Sequence, residues 1–196
     1  MKRIFVFSLL LLLGGCGWLY RLGGTSSEFD ISKAGLQVPS FEFTNQEGEP
    51  FGTKQLEGKY WLADMIFTNC PSVCPTMTPN MQRLQETMKE EGVDLTFVSF
   101  TVDPETDTPE QLKAYGEYYG ADFENWHFLT GYTLDEMKEF AEEGFSAIVQ
   151  ELEDSDDIMH STSFFLVDPE GNVIRQYDGL KSDQTEIVED LKQTVR

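Results

Sequence analysis

The chain has 196 residues, enough for one domain with a proper core plus a leader or tail. Its 35 acidic and 14 basic side chains give a net charge of −21, a surface that repels nucleic acid and anionic lipid and so excludes a phosphate-binding role. Hydrophobic residues at 40%, with 15 phenylalanines, argue for a globular fold rather than a disordered chain.

The first twenty residues, "MKRIFVFSLLLLLGGCGWLY", carry a positive start (Lys2, Arg3) and a ten-residue apolar run from Ile4 to Leu13. That run is too short to span a bilayer alone but suits a secretory signal. "LGGC" (Leu13 to Cys16) resembles the bacterial lipobox, in which cleavage leaves the cysteine as a lipidated N-terminus. The expectation is a lipoprotein signal peptide over 1–15 and lipidation at Cys16, with the domain held at the cell membrane on its extracytoplasmic face. An uncleaved anchor running on to Tyr20 is the alternative, and it exports the rest equally. Cleavage before Cys16 removes Lys2 and Arg3 and no acid, taking the charge from −21 to −23.

Small and polar residues ("GGTSSEFDISKAG") then read as a flexible tether over 16–36, ahead of a domain over 37–196. "FEFTNQEGEPF" looks like a hairpin around Gly48. "YWLADMIF" (60–67) is almost unbroken apolar, as in a strand buried on both faces of a parallel sheet. Met77, Met81, Leu84 and Met88 recur at helical spacing until about Gly92. "VDLTFVSFTVD" is a second strand, and "TPEQLKAYGEYYG" a helix capped by Thr108 with Pro109 in its first turn. A short strand "WHFLTG", a helix "TLDEMKEFAEEGF" with Leu134, Met137 and Phe140 on one face, strands "STSFFLVD" and "NVIRQY", and an amphipathic helix complete the chain. Strands alternating with helices and closing on a hairpin and a helix give an α/β fold, a central mixed sheet flanked by helices with an N-terminal hairpin.

Cys70 and Cys74 sit in "TNCPSVCPTM", between the buried strand and the helix, where open α/β sheets expose their working loops. Pro71, Pro75 and Pro79 follow one another at intervals of four. Proline fits the first turn of a helix and not its interior, so regular helix is expected from Pro75, or from Pro79 with Thr78 as cap. Helix N-terminal amides lower thiol pKa values and favour the thiolates that metal binding or disulfide exchange needs. Three residues between the cysteines let two thiolates flank an ion and still close a disulfide. Two thiolates suit a soft ion such as Cu(I), and an imidazole completes a three-coordinate site. Of the two histidines, His127 lies in an aromatic strand and reads as packed. His160 precedes a strand expected beside the cysteine loop, and spacing leaves ligand and solvated loop residue equally open.

"FTNCPSVCPTM", "SFTVDPETDTPEQLKAY", "FLTG" and "MHSTSFFLVDPEGNVI", in this order, resemble the SCO/SenC family of membrane-anchored copper proteins over roughly residues 37 to 196. The resemblance implies a thioredoxin-like fold and one copper, Cu(I) or Cu(II), bound by Cys70, Cys74 and His160. It also implies service in assembling the binuclear copper centre of cytochrome c oxidase, whose copper-site subunit would be the partner. In thioredoxin-like folds a cis-proline usually faces the dithiol, whereas no proline lies between Pro109 and Pro169 here.

Asp64 is a carboxylate in an apolar strand, six residues before Cys70, a spacing at which thioredoxins keep a buried acid that relays protons. Burial would raise its pKa and make it a usable base; pairing at the strand edge is the competing reading. The acidic run "ELEDSDD" (151–157) reads as surface, since carboxylates bind Cu(I) poorly. The second function is accordingly a thiol–disulfide reductase, served by a thiol–disulfide donor, that keeps the oxidase's copper-site cysteines reduced. Cys70 would attack, Cys74 resolve and Asp64 move protons. A peroxidase would need an arginine near one dominant thiolate.

Overall fold

The structure, a computed structural model, describes residues 27–195 except 154 and 156, so the expected signal peptide, Cys16 and the start of the expected tether lie outside the described residues. Strands β1 (Glu42–Asn45) and β2 (Pro50–Gly52) form the expected hairpin, with Gly48 in its turn at a φ of 77°, where a side chain would be strained. A one-turn helix α1 (Thr53–Leu56) leads into β3 (Trp61–Ile66). Every β3 residue is buried, which explains why its sequence lacks the alternation of a half-exposed strand.

Helix α2 (Cys74–Glu90) follows, burying Met77, Met81, Leu84 and Met88 along one stripe. It starts at Cys74 with Pro75 in its first turn, and Pro79 stands inside it. Thr78 is not a cap: it is buried, and its hydroxyl lies 2.6 Å from that of Tyr115. Next come β4 (Thr96–Thr101), α3 (Pro109–Tyr119), β5 (Trp126–Thr130) and α4 (Leu134–Phe145). Thr108 and Thr133 cap the two helices as reciprocal pairs with Gln111 and Glu136. A two-stranded arm, β6 (Gln150–Glu151) and β7 (Ile158–Met159), precedes β8 (Ser163–Val167), β9 (Val173–Asp178) and α5 (Thr185–Thr194).

The main sheet has the order β2-β1-β5-β4-β3-β8-β9. The β3–β4 and β4–β5 pairs are parallel, and β8 joins β3 antiparallel with Trp61 opposite Val167 and Ala63 opposite Phe165. This mixed sheet with helices on both faces is the expected thioredoxin-like architecture. On one face, Phe140 and Phe145 of α4 pack with Phe100 and Trp61 in an aromatic cluster. The other face carries Phe128, against which Tyr115 of α3 sets its ring edge. Each fully buried apolar side chain of this size contributes about 1.5–3 kcal/mol relative to exposure.

The ordered domain begins before residue 37. Residues 28–37 lie along β9: Gln176 N–H donates to Phe29 O, Ile31 N–H to Ile174 O and Val173 N–H to Leu36 O. Arg175 pairs with Asp30 at 3.3 Å and Asp190 at 3.1 Å, and Phe29 packs on Tyr177. A polar segment read as tether therefore pairs as an edge strap, because its backbone satisfies the free side of β9. Among the described residues no helix is long and apolar enough to cross a membrane.

His127 is the packed histidine the sequence suggests, stacked on Phe51 with ring centroids 4.0 Å apart. Burial lowers its pKa from 6.5 to about 4, so the folded chain refuses a proton that the unfolded chain takes up between those values. Its contribution to stability is complete above pH 6.5 and falls with pH by up to about 1.4 kcal/mol per unit. His127→Phe keeps the stack and removes the proton, so urea unfolding from pH 7 to 4 should show a shallower loss of stability than the parent. Equal slopes would place the imidazole in water.

Candidate metal centre

The chain leaves β3, turns through Thr68 and Asn69, and places Cys70 just before α2 and Cys74 in its first turn. The helix start points its amides at the first thiol: Cys74 N–H lies 3.4 Å from Cys70 Sγ. Both cysteines are free and buried. His160, buried to 8% exposure, arrives from the other side, between the β6–β7 arm and β8. Its Nε2 is 3.8 Å from Cys74 Sγ, and the ligand atoms of Cys70, Cys74 and His160 all lie within 4.8 Å of one another.

The imidazole is oriented as a ligand must be. His160 Nδ1 is 2.9 Å from Ser161 O; a carbonyl only accepts, so Nδ1 carries the proton and the Nε2 lone pair of the neutral ring is left facing the sulfurs. Phe67 sets its ring edge-on to the imidazole at 6.0 Å. No cis peptide bond occurs among the described residues, so no cis-proline faces this dithiol.

The two thiols share a proton unevenly. A hydrogen bond from the Cys74 thiol, helped by the amides of Cys74 and Ser72, holds Cys70 down at about 3 against the opposing effect of burial. Cys74 is pushed up by that same shared proton, by burial and by the negative charges of Cys70 and Asp64. The dithiol is thus poised as a thiolate beside its protonated partner, the form that attacks disulfides and that releases its last proton when a metal binds.

Beneath it lies Asp64, 1% exposed. Ser99 Oγ donates to its Oδ1 at 2.6 Å, and Trp126 Nε1–H donates to Ser99 Oγ at 2.9 Å. Oδ2 has no hydrogen-bond partner among the described residues. Burial raises the Asp64 pKa to about 7, opposed by the Ser99 hydrogen bond and the nearby His160. It is an interior carboxyl and not a strand-edge ion pair.

A second acid, Asp107 of "DPETDTP", is fully buried although nothing in its sequence surroundings marks it so. Its carboxylate accepts from Thr68 N–H at 3.1 Å and from the Thr68 and Thr101 hydroxyls. It ties the residue two before Cys70 to the end of β4 and so fixes where the cysteine loop begins. Its burial was hidden in a run that composition alone marks as solvated.

The SCO1/SenC family model matches residues 30–196, and the chain belongs to that family. A SCO1/SenC family lipoprotein from Bacillus anthracis str. Ames is 44% identical, with a TM-score of 0.78 over 82% of this chain and 96% of that one. BsSco, described with a disulfide switch and as a member of the Sco family of cytochrome c oxidase assembly proteins, is 43% identical at a TM-score of 0.74 (82% of this chain, 95% of that one). ScoI of Arabidopsis thaliana with copper bound is 27% identical at a TM-score of 0.68 (80% and 98%).

The raised pKa of Asp64 has a stability consequence of definite sign. The folded state keeps its proton between the ordinary 3.8 and about 7, so the contribution is complete below 3.8 and lost as pH rises through about 7. Asp64→Asn keeps an acceptor for Ser99 and removes the buried charge. It should raise stability at pH 8 by at least about 2 kcal/mol and matter little below pH 4, as read from urea midpoints. No gain at pH 8 would mean that the carboxylate is well solvated.

Proposed function

We propose that this chain is a copper-binding metallochaperone for the binuclear copper centre of cytochrome c oxidase, carrying one copper on Cys70, Cys74 and His160. The observation that carries the reading is the approach of two sulfurs and a free imidazole nitrogen to within 4.8 Å of one another. Ligand atoms around one ion with metal–ligand bonds of 2.0–2.3 Å, the range known for zinc, stand roughly 4 Å apart when three-coordinate. Two soft thiolates and one imidazole select Cu(I) over hard cations, and three donors fall short of the four of a structural zinc site. The copper-bound Arabidopsis relative and the oxidase-assembly relative support the ion and its destination. The "LGGC" stretch and the B. anthracis lipoprotein support attachment to the membrane through Cys16.

The second reading, a thiol–disulfide reductase, is favoured by one observation: a buried carboxyl with a free Oδ2 and a pKa near neutrality beneath the dithiol. As general base, Asp64 would take the Cys74 proton when Cys74 attacks the mixed disulfide formed by Cys70. Both described arginines are committed elsewhere, Arg83 to Asn80 and Arg175 to Asp30 and Asp190, so the peroxidase reading lacks support.

Two substitutions separate these roles. His160→Ala removes an imidazole donor and should weaken copper binding at least about 10- to 100-fold, the loss that outer partners of metal ligands already cause. The Cys70–Cys74 disulfide should still form and be reduced within a few-fold of the parent rate. Asp64→Asn should do the reverse, slowing exchange with a dithiol near pH 7 and leaving copper stoichiometry intact. Copper titration and exchange kinetics on the same preparations decide. Unchanged copper affinity in His160→Ala with a large fall in exchange rate would overturn the chaperone reading and leave the reductase.

A further inference from the structure

The strap that precedes the hairpin has a direction. Gln37 bridges to Asn172, Leu36 O accepts from Val173 N–H, Asp30 bridges to Arg175, and Phe29 O accepts from Gln176 N–H. Going back from residue 37 to residue 29, the chain climbs β9 from Asn172 to Gln176, two residues short of its end. That end is the metal-site end of the sheet: Asp178 pairs with Ser163, three residues after His160. Gly179 N–H donates to Thr162 O, and a Cβ on Gly179 would meet the Met77 side chain in the first turns of α2. A shallow surface pocket joins the two features, lined by Glu28 and Phe29 together with Thr162, Asp178 and Leu180. The opposite end of the sheet is marked by Gly58, whose N–H donates to Pro169 O, and by the turn at Gly171.

We propose that the chain enters the domain at the metal-site end, so that an anchor upstream of Ser27 turns the end of the domain that holds Cys70, Cys74 and His160 toward the membrane, where it fits a membrane-held protein partner. The inference rests on the anchored reading above and adds an orientation to it. Ten residues lie between Cys16 and Ser27, and the Cα–Cα steps across them span at most ~40 Å when fully extended. A domain of this size is itself roughly 40 Å across. The far end can reach the lipid only with those residues drawn out almost straight around the domain, which forfeits most of their conformational freedom. The metal-site end reaches it with no such loss. Strand β3, six residues long, separates the two ends by ~20 Å of sheet, so the difference in distance to the membrane is large. The net charge of −21 keeps the domain from lying flat on anionic lipid and leaves the connection at Ser27 to set the orientation. A partner embedded in the same membrane then meets the thiols without the domain turning over. A partner diffusing in bulk would have to pass between domain and bilayer.

The test places the full-length, membrane-extracted chain in phosphatidylcholine nanodiscs carrying gadolinium-chelate headgroups and reads amide relaxation. Glu28, Thr162 and Leu180 should relax at least tenfold faster than Gly58 and Gly171. A disc-bound chain with a flat or inverted gradient overturns the orientation and leaves the anchored reading intact. A chain that does not associate with the discs overturns the anchored reading and this inference with it. Intact mass of the same preparation identifies the anchor: a lipid on Cys16 and an unprocessed Met1 both support the inference if the gradient holds, and the second sinks lipidation alone.

Discussion

The antiparallel pairing of β8 with β3 is the constraint on which the site depends. Cys70 and Cys74 follow the end of β3, while His160 precedes the start of β8, ninety residues after Cys70 along the chain. A parallel neighbour would have brought the end of a strand, not its beginning, to the cysteine loop. With Ala63 opposite Phe165, the start of β8 lies at the β3 terminus, and only Ser161 and Thr162 stand between His160 and Ser163. The hydrophobic content of both strands, buried along almost their whole length, is what makes that pairing strong. A core interaction therefore fixes a surface chemistry.

The same core houses groups that a core ordinarily excludes. Asp64 and Ser99 are register partners on adjacent parallel strands, so their side chains share a face by the pleat. Trp126 comes from the next strand and uses its single donor on Ser99, which leaves the Ser99 proton for Asp64 Oδ1. If the carboxyl is protonated, its proton then resides on Oδ2, the oxygen with no other partner. Asp107 shows the contrasting solution, a buried carboxylate whose hydrogen bonds from two threonines oppose its desolvation. One acid is kept incompletely satisfied near the thiols and the other is spent on holding the loop.

Most of the architecture is legible in the sequence because apolar periodicity and turn residues agree there. The unbroken run at 60–67, the methionine stripe of α2 and the threonine caps of α3 and α4 each state their element and bounds with little ambiguity. The three residues of the centre are legible through the motifs they sit in, whereas their proximity is a product of strand order that no local pattern encodes. Three features escape for physical reasons. The β6–β7 arm rests on two residue pairs next to an acidic turn, too short to leave a period. The strap at 28–37 has a loop's composition and is held by an edge strand remote in sequence. The start of α2 is ambiguous because a proline inside a helix is improbable by propensity and is nonetheless accommodated at Pro79.

That interior proline has a mechanical consequence. Pro79 has no N–H to give to the carbonyl of Pro75, so the ladder of α2 lacks a rung directly after the turn that carries Cys74. The rest of the helix is pinned by Met81, Leu84 and Met88 in the core, all at most 1% exposed. Cys74, Met77 and Thr78 are equally buried, so the turn that lacks a rung is held by its side chains rather than by its ladder. A rotation of this turn would change the distance from Cys74 Sγ to Cys70 Sγ without a hydrogen bond at Pro79 to break. Cys74 thus sits on the one turn of the helix whose geometry answers to packing before it answers to the backbone ladder.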